Sequence, residues 1–324
     1  MDKLSTIQQP VQREIESLNS TIRMALQTKS PLMDSVVNYY LGAKGKQIRP
    51  LLVLLSARLC GEVNDATVNA AAAIELLHNA SLIHDDVVDE SLQRRGRKTV
   101  NGIWDNRIAV LVGDYFVSCA LKCAVKTGLI SIVDTLGVLG QELAKGEIDQ
   151  ISNVEDHIID ESAYFEVIRQ KTASLFVSCM QMGALSVDAP EDTVCKLMAF
   201  GEKLGLCFQI KDDIFDYFGD SVIGKPTGND IHEGKVTLPL LYALQHGEEA
   251  AVGRMKALLD RKTLSAEDVD TLIRFARDNG GIEYAVQVME HFREEGYQIL
   301  SEFESSPVVD SLRQILDYTI ERNK

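Results

Sequence analysis

Basic residues are scarce in this sequence, and its cysteines follow no paired spacing. There are 33 lysines and arginines against 48 aspartates and glutamates, a formal net charge of −15. Such acidity argues against nucleic acid and anionic membrane surfaces as partners, because both repel negative charge. None of the six cysteines belongs to a CxxC pair. We therefore expect buried free thiols in a reducing cytosol rather than disulfides or a zinc site.

The sequence also lacks the segments that target a chain to a membrane or anchor it there. No stretch reaches the roughly 18 uninterrupted apolar residues of a spanning helix. Residues 1–18 have neither a signal-peptide core nor the composition of a transit peptide. These absences predict a soluble, cytoplasmic protein without stable membrane insertion.

Strand signals are missing as well, since none of the predicted helical segments between residues 51 and 218 shows strict alternation or an Asn-Gly hairpin turn. The 324 residues are 45% hydrophobic, enough for one large domain or two smaller ones. Without a repeat, linker or boundary, we expect a single all-α domain over residues 1–324. Apolar spacings of three and four predict helices over 4–28, 33–41, 51–59, 65–89, 103–126, 130–151, 160–186, 191–218 and parts of 236–324.

Residues 75–97 are the stretch around which the predicted site is built. An apolar, alanine-rich run ends there in three carboxylates on one helical face, Asp85, Asp86 and Asp89. At about 4 Å, each carboxylate pair repels by roughly 1 kcal/mol in water. Such clusters suit Mg2+, which carboxylates usually hold together with substrate phosphates. Arg94 and Arg95 follow, and their planar forks favour bidentate binding of phosphate oxygens. The stretch therefore predicts a diphosphate held by metal on one side and guanidinium on the other.

A second aspartate cluster supports this prediction, because one acidic run alone is usually solvated surface. Residues 209–216 repeat the pattern after another apolar helical run. The repeated carboxylates are Asp212, Asp213 and Asp216. Two helices would then present two carboxylate triplets, and we expect the triplets to face each other across one pocket.

Three further segments are open to two interpretations each. Lys46 and Arg49 lie in a glycine-bearing loop, either as an anion site or as ordinary surface. Lys171 interrupts an apolar helix, either as a surface lysine with a buried stem or as a side chain in a polar pocket. The glycine-rich loop over 219–239 is typical of a functional or disordered segment. Its place directly after a predicted metal-binding helix favours a lid over the phosphates.

Together these segments resemble the trans-polyprenyl diphosphate synthases, the head-to-tail isoprenoid chain elongases, over nearly the whole chain. Seven motifs in order carry the resemblance. They are GKQIRP (45–50), ELLHNASLIHDDVVDESLQRRGRKTVN (75–101), LVGDY (111–115), KTASL (171–175), QIKDDIFD (209–216), GKPTGND (224–230) and EGKVTLP (233–239).

The resemblance implies an isoprenoid synthase fold, a single large helical bundle around a central cavity, usually as a homodimer. It also implies that all six aspartates hold up to three Mg2+ ions on an allylic diphosphate. Further contacts to that diphosphate would come from Arg94, Lys171, Thr172, Gln209, Lys225 and Lys235. Isopentenyl diphosphate would be held by Lys46, Arg49, His78 and Arg95. The family commonly has two glycines before the loop lysine, whereas this chain has Lys44-Gly45-Lys46.

The implied reaction is ionisation of the allylic diphosphate, followed by attack of isopentenyl diphosphate on the allylic cation. It needs no protein nucleophile, and the catalytic set would be Asp85, Asp86, Asp89, Lys171, Asp212 and Asp213. Ala80 and Ser81 are small and precede Asp85 by about one turn, so they predict an open tunnel. Bulk at successive helical turns then predicts a product of about six to ten isoprene units.

Three other functions are open on the sequence. A short-chain farnesyl or geranylgeranyl diphosphate synthase would share the motifs but stop the product early. In a terpene cyclase, an NSE-type second motif would be expected in place of residues 212–216. A non-catalytic subunit of a heteromeric synthase would have degraded aspartate motifs, and neither motif is degraded here.

Overall fold

Helices account for nearly all regular structure in the computed structural model, which describes residues 3–42, 45–94, 96–218, 228–261 and 263–322. The described helices are α1 (Lys3–Gln8), α2 (Gln12–Ala25), α3 (Pro31–Leu41), α4 (Ile48–Cys60), α5 (Asp65–Val88), α6 (Val100–Ile103), α7 (Asn106–Lys126), α8 (Ile130–Glu155), α9 (Glu161–Ile168), α10 (Ser174–Leu185), α11 (Glu191–Asp216), α12 (Asn229–His232), α13 (Leu238–His246), α14 (Glu249–Leu259), α15 (Ala266–Asp278), α16 (Gly281–Ser301) and α17 (Pro307–Glu321). A 3-10 turn covers Gln9–Val11, and a π-helical turn covers Arg169–Ala173. The predicted all-α fold is confirmed.

Three of the predicted helices are interrupted. The helix expected over 4–28 tightens into the 3-10 turn around Pro10, because proline has no backbone N–H to donate. The one expected over 103–126 breaks where Asp105 Oδ1 accepts the backbone N–H of Ile108 at 2.9 Å and starts α7 anew. The one expected over 160–186 contains the π-helical turn between α9 and α10.

One short hairpin also departs from the expectation of helices alone. Strand β1 (Gln93–Arg94) pairs antiparallel with β2 (Arg97–Lys98), and these are the only strands among the residues described. Gly96 in its turn has φ +73°, a left-handed conformation that glycine adopts at no steric cost.

The chain forms two compact units, each assembled from three stretches. Unit 1 comprises Met1–Gln141, Leu175–Gly201 and Ile299–Ile315. Unit 2 comprises Glu142–Ser174, Glu202–Gln298 and Leu316–Lys324. Neither unit is a continuous piece of chain, and a single domain over 1–324 stays a prediction.

The core of unit 1 is centred on α5, which packs against α2, α4 and α7. Residues 70–74 of α5 and 51–55 of α4 are almost fully buried, as expected for helices that are apolar all round. Gly183 on α10 shows how closely the backbones approach, because a Cβ there would lie 2.3 Å from the carbonyl oxygen of Val53. Burial of these helices fixes where the C-terminal end of α5 lies.

A second apolar core, in unit 2, joins α13 and α15 to the end of α11. Tyr217, Leu240 and Leu272 are among its almost fully buried members. Gly281 is required at the start of α16, since a Cβ there would lie 2.0 Å from the carbonyl oxygen of Pro239. This core holds the segment that follows the second aspartate cluster.

All six cysteines are described and carry free thiols, as predicted. Cys119, Cys123, Cys179 and Cys207 are buried, and Cys60 is half-buried. Burial raises the pKa of Cys60 to about 11. The expectation that every cysteine is buried is wrong for Cys195, which is exposed on the second turn of α11.

Candidate active site

The first aspartate cluster lies where α5 ends. This helix begins with a capping box, in which Asn64 Oδ1 accepts the Thr67 N–H at 3.0 Å. It runs to Val88, so Asp85 and Asp86 lie in its last turn and Asp89 is the residue that caps it. A helix C-terminus carries partial negative charge, which disfavours carboxylates. The position of the cluster therefore favours a bound cation.

Arg94 contacts the buried member of this cluster. Asp86 is 4% exposed, and Arg94 Nε donates to its Oδ1 at 2.7 Å. Burial raises the pKa of Asp86, while the charge and hydrogen bond of Arg94 oppose that rise. The contact uses one of the five N–H donors of a guanidinium, so Arg94 can hold Asp86 and still donate to a phosphate oxygen.

Asn101 fixes the spacing between the aspartates and the hairpin. Its Nδ2 donates to the carbonyl oxygens of Asp86 at 3.0 Å and Ser91 at 3.1 Å. Thr99 Oγ1 also donates to Ser91 O, at 2.8 Å. Sequence reasoning placed Asn101 at the end of the second motif but assigned it no role, because its partners are backbone atoms.

We expect Asn101→Leu to lower the free energy of unfolding by about 1 to 2 kcal/mol in urea titrations. Two hydrogen bonds are lost, at about 1 kcal/mol each. Both carbonyls keep another donor, Ser91 N for Asp86 and Thr99 Oγ1 for Ser91, so neither is left unsatisfied. As a control, Asn69→Leu removes one hydrogen bond at an exposed position and should change stability by less than about 0.5 kcal/mol. Equal losses in the two variants would contradict the role of Asn101.

The remaining predicted residues of unit 1 differ in their surroundings. Lys46 is exposed, whereas Arg49 and His78 are half-buried. The Arg49 guanidinium lies 5.2 Å from the centroid of the Phe176 ring, a cation–π distance. Ala80 is fully buried, and Ser81 Oγ donates to the carbonyl oxygen of His78 at 2.9 Å. Arg95 lies outside the described residues.

Asp213 is the buried member of the second cluster, in unit 2. It is 2% exposed, and its Oδ2 accepts the Tyr164 hydroxyl at 2.6 Å while its Oδ1 accepts Gln209 Nε2 at 2.8 Å. Burial and the nearby carboxylate of Asp230 raise the pKa of Asp213 to about 8, although both hydrogen bonds lower it. Negative charge is therefore in excess around this side chain.

The other two carboxylates of this cluster have different partners. Asp212 Oδ1 accepts Arg322 Nη2 at 2.7 Å, and that guanidinium lies 4.2 Å from the Phe208 ring centroid. Asp216 accepts the backbone N–H groups of residues 229 and 230, at 2.9 and 3.0 Å, and so caps α12. The sequence did not indicate Arg322, which lies 110 residues from Asp212 along the chain.

Lys171 and Thr172 lie in the π-helical turn of unit 2. Lys171 Nζ donates to Gln150 Oε1 at 2.6 Å and forms an ion pair with Glu147. The Lys171 side chain is half-buried between these polar partners, and the predicted polar pocket stays a prediction. Thr172 Oγ1 donates to Gln209 Oε1 at 2.7 Å, so a chain of hydrogen bonds links the π-helical turn to Asp213.

Lys235, the last predicted diphosphate ligand of unit 2, pairs with Glu233 at 2.6 Å. Lys225 and the first nine residues of the predicted lid, 219–227, lie outside the described residues. The lid stays a prediction.

The residues present fit Mg2+ by their chemistry. Within the described residues, no three side chains of His, Cys, Asp or Glu already form a group that could hold a metal ion. The six aspartates nevertheless offer the oxygen ligands that Mg2+ prefers. Burial raises the pKa of Asp86 and Asp213, because a buried carboxylate loses the water that stabilises its charge. A divalent cation would stabilise the charged form.

Comparison with known proteins agrees with this chemistry. The family model described as polyprenyl synthetase matches residues 30–276. Octaprenyl diphosphate synthase of Haemophilus influenzae is 33% identical over 94% of this chain and 92% of its own length.

Two crystal structures are also similar. Geranylgeranyl pyrophosphate synthase from Bacteroides thetaiotaomicron has a TM-score of 0.87 and 41% identity over 99% of this chain and 100% of its own. Polyprenyl synthase from Caulobacter crescentus, complexed with calcium and isoprenyl diphosphate, has a TM-score of 0.92 and 28% identity over 99% of this chain and 98% of its own. With two complete aspartate clusters and a family match over most of its length, the chain belongs to the polyprenyl synthetase family.

Proposed function

We propose that this prenyltransferase adds isopentenyl diphosphate head-to-tail to farnesyl or geranylgeranyl diphosphate and makes a medium-to-long all-trans polyprenyl diphosphate. The observation that carries the proposal is the pair of complete aspartate clusters, each with one buried carboxylate, Asp86 and Asp213. A diphosphate with Mg2+ is the ligand that such clusters and the neighbouring cations fit. We place the reaction in the cytoplasm.

Different residues of the chain bind the two substrates. Bound Mg2+ would supply positive charge that stabilises the departing diphosphate. Arg94, Lys171 and Lys235 add fixed positive charge for the same group, which lowers the barrier because the charge is in place before ionisation. Lys46 and Arg49, with His78 and Arg95, hold isopentenyl diphosphate so that its double bond attacks the allylic carbon after the C–O bond to the leaving diphosphate breaks. The new C–C bond leaves a tertiary cation, which loses a proton to the released diphosphate and forms the new double bond.

Product length distinguishes this function from a second candidate. The octaprenyl relative and the small side chains of Ala80 and Ser81 favour a medium-to-long product. We expect about six to ten isoprene units, because one extended unit is about as long as the rise of one helical turn. The 41% identity to a geranylgeranyl pyrophosphate synthase favours a short-chain synthase that stops at four.

Incubation with farnesyl diphosphate, labelled isopentenyl diphosphate and Mg2+, followed by product sizing, tests both candidates. Products of about six to ten isoprene units support the proposal, and a product that stops at four establishes the short-chain function. Chelation of the metal should abolish formation of either product. A purified chain that elongates only when a second protein is added would instead support the heteromeric subunit.

We also propose that the chain is a homodimer through an apolar face of α7. Among the described helices, α7 is the one long and apolar enough to cross a membrane, although just under half of its apolar window is buried. Its exposed apolar residues follow a helical spacing. They are Val110, Leu111, Val117, Leu121 and Val125. A second copy of the chain would cover this stripe, as contiguous exposed apolar surface usually marks an interaction site.

Light scattering at micromolar concentration should give twice the chain mass of 35.9 kDa. Leu121→Glu should shift the protein toward monomer, because a charge at the centre of an apolar interface is desolvated without a partner. Leu32→Glu, at an exposed position on α3, is the matched control and should leave the mass unchanged. A monomeric wild-type protein would remove the claim.

A further inference from the structure

Gly146 on α8 lies directly against the backbone of the π-helical turn. A Cβ at this glycine would lie 2.8 Å from the backbone nitrogen of Lys171 and 3.1 Å from its Cα. The first distance is shorter than real Cβ atoms show, and both neighbours are backbone atoms that cannot swing away. Glycine is therefore the residue that lets α8 approach Lys171 this closely.

The same helix also binds the end of the Lys171 side chain. Glu147, next to Gly146, forms an ion pair with Lys171 Nζ, and Gln150, one turn later, accepts from Nζ at 2.6 Å. The two partners differ in charge but both accept hydrogen bonds. An ammonium has three N–H donors in a tetrahedral arrangement, so two occupied donors determine the direction of the third.

Without such contacts a lysine is poorly suited to point at one atom. Its charge sits on a flexible four-carbon stem, and its rotamers carry about 2 kcal/mol of entropy. Ordering that stem before the substrate arrives moves the entropy cost out of the binding step. The π-helical turn, Gly146 and the two acceptors together hold both ends of Lys171.

The charge of Lys171 also acts on a carboxylate that pairs with another predicted diphosphate lysine of this unit. Lys235 binds Glu233. Burial alone would raise the pKa of Glu233, but the hydrogen bond and charge of Lys235 lower it, with smaller contributions from Asn229 and Lys171. The charge of Lys171 thus acts on the same carboxylate that pairs with Lys235.

We propose that Gly146, Glu147 and Gln150 are positioning residues that hold Lys171 at both ends and direct its third N–H toward the diphosphate of the allylic substrate. The inference rests on the proposed function. It assigns Glu147 and Gln150 no direct contact with substrate. Their effects must therefore pass through Lys171, and this is what an experiment can detect.

A double-mutant cycle tests the coupling. Glu147→Gln should lower kcat/KM for the allylic diphosphate about 10- to 100-fold, with the KM for isopentenyl diphosphate unchanged. In a Lys171→Gln background the same change should cost less than about twofold, since residues that act through one group are non-additive. Gln150→Leu should behave in the same way. Glu155→Gln, at the exposed end of the same helix, is the matched control and should leave both constants unchanged.

Binding of inorganic diphosphate with Mg2+, measured by calorimetry, separates this inference from the proposed function. If the wild-type chain binds diphosphate but does not elongate a prenyl chain, the proposed function fails. The double-mutant cycle is then calculated from the dissociation constants of the variants for diphosphate. Additive losses in the cycle, equal changes in both KM values, or tighter binding by Glu147→Gln would overturn the positioning role. So would a wild-type chain that does not bind diphosphate.

Gly146→Ala gives an independent readout through the backbone. We expect reduced kcat/KM for the allylic diphosphate together with a lower melting temperature. Glu147→Gln keeps the side-chain volume and should leave the melting temperature within about 2 °C of the wild type, a shift of less than about 1 kcal/mol. A loss of activity that tracks the melting temperature across all variants would overturn the inference.

Discussion

Asp213→Asn should lower kcat at least about a hundredfold, and Asp85→Asn should do the same. Each change keeps the shape of the side chain but removes a negative charge proposed to hold Mg2+ on the diphosphate. Loss of transition-state stabilisation of about 2.7 kcal/mol corresponds to that factor. Steady-state turnover with saturating substrates and Mg2+ is the measurement.

The melting temperature distinguishes loss of a metal ligand from misfolding as the cause of lower turnover. Asp213 is buried, and its pKa is raised to about 8 by burial and by Asp230, so the folded state disfavours its ionised form at a cost in stability. Asparagine removes that cost, and the melting temperature should stay the same or rise while turnover falls. Asp278→Asn, at an exposed position at the end of α15, should change neither quantity. Near-normal turnover in a correctly folded Asp213→Asn variant would contradict the proposed metal site.

Ser81→Phe should shorten the product sharply. We expect three or four isoprene units instead of about six to ten, because one unit spans about one helical turn of 5.4 Å along the tunnel. Side chains on a helix lean toward its N-terminus, so a phenyl ring at 81 extends along α5 away from Asp85. The first condensation should stay intact, because the ring points away from the predicted metal ligands. Product sizing by chromatography after removal of the diphosphate measures the change.

Side-chain volume is the variable that this experiment isolates. Ser81→Ala removes the hydrogen bond to the His78 carbonyl without adding bulk, and should leave product length unchanged. An unchanged length in Ser81→Phe would show that the tunnel does not run along this face of α5. A wild-type enzyme that already stops at four units would show that other residues close it.

The spacing of apolar residues predicted the helices well, because a helix that buries one face has apolar residues three and four positions apart. It did not predict the break at Asp105 or the π-helical turn over Arg169–Ala173. Both depend on local hydrogen bonding. The side chain of Asp105 accepts the backbone N–H of Ile108, and the π-helical turn over Arg169–Ala173 joins residues five apart instead of four. Neither change alters the spacing of apolar residues enough to be visible in the sequence.

The candidate site was predictable where its residues lie in short motifs. The sequence pattern marked the aspartates, the adjacent arginines and Lys171, and the resemblance added Thr172 and Gln209. The partners of these residues were not predictable. Tyr164 lies 49 residues from Asp213, and Arg322 lies 110 residues from Asp212. Only the tertiary fold brings such pairs within hydrogen-bonding distance, and no local pattern encodes them.

The burial of the cysteines makes the wild-type chain suitable for attachment of a single fluorescent dye. An exposed thiolate is the nucleophile that attacks thiol reagents such as maleimides, and of the six cysteines only Cys195 is exposed. Burial raises the pKa of Cys60, Cys119, Cys123, Cys179 and Cys207, which further slows their reaction. Brief maleimide treatment at neutral pH would thus place one dye on α11, the helix that ends in the second aspartate cluster, without any engineered cysteine.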